Sequence, residues 1–154
     1  MKMKQLPVLA ATGLLLLNSC KKDEAAPENC TTQEVATTAV AGWAASPYCF
    51  ATPVAGGQYQ TYVINSAADL QALNHCTTTP TIDFGRYTLL IGKTRTAACS
   101  NVKTQRVTRS CAQYTFEVTL SAGLCQASTE VLYYTLVPKL EAGAQVTISV
   151  TTPR

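Results

Sequence analysis

Seven cysteines scattered through a chain of low charge narrow the possible folds more than any other feature. Cys20 closes an apolar leader and stands apart from the rest. Six remain: Cys30, Cys49, Cys76, Cys99, Cys111 and Cys125, with neighbours never closer than about a dozen residues. A metal site would call for close pairs such as C-x-x-C. An even, widely spaced set in an exported chain reads instead as a disulfide framework.

Export itself is read from the start of the chain. Met1-Lys2-Met3-Lys4 is a positive n-region, and Leu6 to Leu17 is an apolar run suited to a signal peptide. That run is too short to cross a hydrocarbon core of ~30 Å as a helix. Leu17 and Ser19 lead into Cys20, an arrangement that resembles the bacterial lipobox, with Asn18 as a departure from its usual small or apolar residue. The resemblance implies that residues 1–19 are removed and that Cys20 carries lipid, which would anchor the domain at ~0.8 kcal/mol per buried CH2. Residues 20–29 then read as a polar tether. Its Lys21-Lys22-Asp23-Glu24 is similar to the surface-export tag of some Gram-negative lipoproteins.

Losing Lys2 and Lys4 brings the formal charge down from +3 to +1, which gives no reason to expect nucleic acid as a partner. Charged residues make up only 14% of the chain, and Thr, Ala and Val are plentiful, a balance that favours strands. From Cys30 to about Gly57 the pattern is irregular. Val35, Val40 and Trp43 are spaced to share one face of a short helix. Residues 58–154 carry the clearer signals. Tyr59–Asn65 reads as a strand, Ser66-Ala-Ala-Asp69 as a capping box, Ala67–Asn74 as a helix, and Asp83 as the start of an Asx turn. Tyr87–Thr96 is the strongest strand, and its apolar centre Leu89–Ile91 implies burial on both faces. Further strands are expected over Val102–Arg109, Tyr114–Leu120, Val131–Val137 and Gln145–Thr151. The expected class is α+β: a mostly antiparallel meander, a curved sheet or half-barrel with one short helix, stapled by disulfides.

The segments VINSAADLQAL, TIDFGRYTLLIG, GLCQA and YYTLVPKL resemble a group of small bacterial lipoproteins. More remotely, strand, short helix, I-D-F and strand resemble the C-terminal domain of the protease-complex protein PrcB, over about residues 59–151. That domain usually has a Thr-Gly-Gly segment after its I-D-F strand, where this chain has Thr94-Arg-Thr-Ala-Ala-Cys99. The resemblance implies a protease inhibitor or modulator as the alternative function.

Strand direction bears on the cysteines. If successive strands alternate, Cys99 and Cys125 lie in turns at one end of the sheet, with Cys76 and Cys111 at the other. Bridges need Cα atoms within about 7 Å, so Cys99–Cys125 and Cys76–Cys111 are favoured, leaving Cys30–Cys49.

Catalytic chemistry is hard to assemble from these residues. A nucleophile–base pair usually needs a histidine, and His75 is the only one, beside a cysteine expected to be bridged. The carboxylates Asp69, Asp83, Glu117, Glu130 and Glu141 form no evident pair, and no glycine loop matches a phosphate-binding fingerprint. No cofactor or metal is expected, and the chain reads as a non-enzyme. The one suggestive patch is basic: Lys93, Arg95, Lys103, Arg106 and Arg109 lie on two successive strands, with no acidic residue between Asp83 and Glu117. Alternation puts Lys93 and Arg95 on one solvated face, and Lys103 and Arg109 together on a face of the next strand. The expected function is a lipid-anchored, non-catalytic binding module for a protein or glycan of the bacterial envelope, at the outer membrane.

Overall fold

The computed structural model describes residues 30–50 and 59–152. Cys20, the leader, the tether and Gly56-Gly57 lie outside the described residues. Alternating apolar residues build the strands β1 (Gln33–Val35), β2 (Tyr59–Ile64), β3 (Tyr87–Thr96), β4 (Ser100–Ser110), β5 (Gln113–Ala122), β6 (Thr129–Pro138) and β7 (Gln145–Thr151). One helix, α1 (Ala67–Leu73), follows β2. The Ser66 hydroxyl caps it, accepting from the Asp69 N–H at 3.0 Å. The Asp83 carboxylate accepts from the Gly85 N–H at 3.0 Å, closing the expected Asx turn ahead of β3.

Among the described residues the chain is mostly β, with one short α-helix and open, mainly antiparallel sheets. The strands form two sheets, in the orders β1-β4-β5-β7 and β2-β3-β6. From β3 onward, where the strands were expected to follow one another in a meander, only β4 and β5 pair as successive neighbours. β3 pairs instead with β2 and β6, and β7 lies parallel to β5. The apolar stripes explain this order. Tyr114, Phe116, Val118 and Leu120 of β5 face Leu90, Val131, Tyr133 and Val137 of the other sheet, forming one buried core between two layers.

The outer face of the three-stranded sheet is apolar as well: Ile64, Leu89, Ile91 and Leu136 need cover. Leu70 of α1 supplies part of it, and Val40, Trp43 and Phe50 of the N-terminal segment supply the rest. The short helix expected for Val35, Val40 and Trp43 does not form. Val35 pairs with Val107 in β1 and packs on the inter-sheet core, while Val40 and Trp43 enter the outer one. Trp43 donates its indole N–H to the Thr78 carbonyl at 3.3 Å, and its own carbonyl accepts from the Tyr134 hydroxyl at 2.6 Å. Buried polar groups with such partners hold an irregular backbone in place. Thus β3 has cores on both sides, and Leu89, Leu90 and Ile91 are all fully buried, as their unbroken apolar run implied.

The disulfides are Cys30–Cys111, Cys49–Cys76 and Cys99–Cys125. The third is the expected one; the expected Cys76–Cys111 and Cys30–Cys49 are corrected. β1 runs antiparallel to the end of β4, with Gln33 opposite Arg109, which carries Cys30 to the hairpin turn holding Cys111. Cys111 has φ +53 in the two-residue turn between Ser110 and Gln113, a sign found in primed hairpin turns. Cys76 belongs to the other layer, beside Cys49, where the His75 N–H donates to the Cys49 carbonyl at 2.8 Å.

Tyr133 is the exception in a well-paired interior. Its hydroxyl is buried and finds no hydrogen-bond partner among the described residues. Burial first, and Tyr59 nearby second, push that hydroxyl above the ordinary phenol range. An unpaired buried hydroxyl costs roughly 1–3 kcal/mol, so Tyr133→Phe should raise unfolding stability by about 1 kcal/mol in urea titrations. The folded-state pKa lies above the unfolded one, so ionisation favours the unfolded chain. The wild type should therefore lose stability as pH rises through about 10, and the phenylalanine variant should show a shallower decline. A variant less stable than wild type at neutral pH would mean that the hydroxyl has a partner.

Candidate functional site

The five cations of the basic stretch do not meet. Lys93 and Arg95 lie on the outer face of the three-stranded sheet, while Lys103, Arg106 and Arg109 belong to the other sheet. Lys93, expected to be exposed, is 2% exposed. Its ammonium sits 2.8 Å from Glu130 Oε2 and donates to the Phe50 carbonyl at 3.1 Å. Phe50 comes from the covering segment, whose path periodicity does not reveal. Arg95 reaches the other Glu130 oxygen at 3.4 Å. Arg106 pairs with Glu117 directly across the β4–β5 ladder at 2.6 Å, an exposed pair that contributes little to stability. Arg109 donates to the Cys111 carbonyl at 2.6 Å and stacks over Tyr114. Lys103 occupies a bulge between Val102 and Thr104 and has no ion-pair partner among the described residues. The bulge takes it out of the alternation expected to set it beside Arg109.

The remaining candidates for chemistry are dispersed. His75 is exposed beyond the end of α1. Asp69 and Asp83 lie at the helix start and the Asx turn, while Glu117 and Glu130 belong to different sheets, each with its own cation. No group of three or more metal-ligating side chains gathers among the described residues.

A different surface emerges at the end of the sandwich stapled by Cys99–Cys125. Cys99 braces the loop after β5 from both sides: its carbonyl accepts from the Gly123 N–H at 2.6 Å, and its own N–H donates to the Cys125 carbonyl at 3.1 Å. A Cβ on Gly123 would lie 2.9 Å from Cys99 Cβ, so the close approach calls for glycine. Between these two anchors, Leu124 is fully exposed. Beside it runs a groove of about 630 Å³ lined by Pro47, Asn101, Val102, Leu124, Val131 and Leu132. A second hollow, of about 420 Å³, lies across the disulfide between Tyr59, Arg95, Ser100 and Val150.

Sequence reasoning passed over this rim. Its available signal was an apolar residue, Leu124, held in a turn between Gly123 and a bridged cysteine. The groove's other wall needed the fold, because Pro47, Val102 and Val131 are far apart in the chain. No family model matches the chain, and searches of curated proteins and of solved structures find no match either.

Proposed function

We propose that this chain is a lipid-anchored, non-catalytic binding module of the bacterial cell envelope, and that its partner is a protein. The observation carrying the reading is the braced apolar rim. A solvent-facing leucine fixed by two backbone bonds and a disulfide, beside a groove with apolar walls, suits a preorganised contact. A glycan partner would be better served by a cluster of exposed aromatic rings than by Leu124, Val102 and Pro47. Lipid at Cys20 is supported by the leader and lipobox resemblance in the sequence.

In native membranes, Leu124→Asp should lower recovery of the cross-linked envelope partner by about tenfold or more, the size of effect expected when a central apolar anchor is lost. Its melting temperature should stay near that of wild type, since exposed substitutions usually change stability by no more than ~0.5 kcal/mol. Equal recovery from wild type and variant would remove the rim as the contact surface, and with it the observation that carries the reading. Cys20→Ala should either leave the precursor unprocessed or release the chain from the membrane fraction; unchanged processing and retention would remove the anchor.

The same loop also favours a second reading, a protease modulator of the PrcB type. A rigid loop offering one apolar side chain could occupy the specificity pocket of a serine protease that accepts leucine. Inhibition that Leu124→Asp abolishes would support this. Rapid cleavage of the loop, or no effect on such proteases, would exclude it.

A further inference from the structure

The edge of β4 is only partly used. β1 covers it opposite Val107–Arg109 and then leaves for the other sheet, where Thr38 exchanges two backbone bonds of 2.9 Å with Leu136. From Ser100 to Arg106, β4 has no ladder-paired strand on this side among the described residues. The Gln105 side chain donates to the Tyr134 carbonyl of β6 at 3.1 Å, while its backbone stays free of a ladder on this side. Asn101 to Arg106 are all exposed. Pairing alternates along an antiparallel ladder, and Ser110 opposite Gln113 closes the hairpin. Counting back from that pair, Thr108, Arg106 and Thr104 bond to β5, while Gln105 directs its backbone N–H and C=O outward. Such an edge accepts another strand.

Charge selects the strand. β4 carries Lys103, Arg106 and Arg109 and no acidic residue. Arg106 is paired with Glu117 of β5, so on the open stretch Lys103 is the cation without an ion-pair partner among the described residues. A second copy laid antiparallel along this edge would set cations near cations, and the Lys103 bulge further discourages a flat neutral strand. An extended segment bearing carboxylates faces neither obstacle, and Glu130, which also lines the adjoining groove, already has its charge paired with Lys93 and Arg95. Its alternate apolar side chains would meet Val102, Leu124 and Val131 in the adjoining groove. β1 provides the pattern, since Glu34 and Val35 of the chain itself lie opposite Thr108 and Val107 further along this edge.

We propose that the exposed edge of β4, Asn101 to Arg106, binds an extended acidic segment of an envelope protein by antiparallel strand addition. The proposal rests on the reading of the chain as a binding module and names the partner's binding form. The test uses the full chain and a fluorescent peptide alternating valine with glutamate, followed by anisotropy. Wild type should bind it, and Lys103→Glu should weaken binding by about five- to tenfold, as loss and reversal of one exposed charge contact allows. The same peptide carrying lysine for glutamate should bind the variant better than wild type. N-methylating the peptide amides that face β4 should abolish binding, and the bound peptide should slow amide exchange at Gln105. Failure of wild type to bind, or equal binding of the methylated peptide, overturns the strand addition. Partner recovery that depends on Leu124 while the peptide fails leaves the module standing and removes the edge. Partner recovery indifferent to Leu124 while the peptide binds removes the rim and keeps the edge.

Discussion

Glu130→Leu should destabilise the fold by about 3–5 kcal/mol, the range for removing one partner of a buried ion pair. Lys93 has its ammonium 2.8 Å from Glu130 Oε2, and their side chains are 3% and 12% exposed. Without the carboxylate, that ammonium keeps, among the described residues, only the Phe50 carbonyl, and is shut off from water by the covering segment. Lys93→Met should cost less, because it removes the buried charge and leaves Glu130 beside Arg95 at 3.4 Å. The double variant Lys93→Met, Glu130→Leu should then be more stable than Glu130→Leu alone, a non-additivity of 1 kcal/mol or more being typical of contacting pairs, where ~0.5–3 kcal/mol is observed. Urea titration of the set checks this. A loss below about 1 kcal/mol for Glu130→Leu would mean the pair is solvated like an ordinary surface bridge.

Gly92→Val should also be severe, at about 3 kcal/mol or more, because overpacking a closed core forces neighbours off their rotamers. Gly92 lies on the inner face of β3, opposite Tyr133 of β6. A Cβ there would overlap the Tyr133 ring and sit 2.6 Å from Ile148 Cδ1. Neither neighbour has an easy retreat, since Tyr133 is 1% exposed and Ile148 closes the same core from β7. Gly92→Ala should show a smaller loss of the same kind. Adding Tyr133→Leu should restore part of it, because the ring is what the new methyl meets. A neutral Gly92→Ala, or a double variant worse than the sum of its parts, would show that the sheets separate freely at this point.

What can be read from residues alone is what depends on near neighbours. β3 and β7 begin and end where alternation and composition place them, Ser66 caps α1, and Asp83 closes its turn. Each of these depends on contacts within a few residues. Cys99–Cys125 belongs with them for a related reason. β4 reverses into β5, and β3 lies antiparallel to β6, so the connections after β3 and after β5 must lie at the same end, whichever sheet each strand joins.

The other two bridges depended on layer as well as end. Strand direction cannot assign Cys76 to the cover of the three-stranded sheet and Cys111 to the hairpin of the other, nor show that Cys30 reaches that hairpin through β1. Lys93 shows the same division. Alternation correctly sets it on one face with Arg95, but whether water or Phe50 meets that face depends on a segment more than forty residues away, hydrogen-bonded at a sequence separation of 43. A side chain's face is a local property of a strand, and what lies over that face is a product of the whole fold.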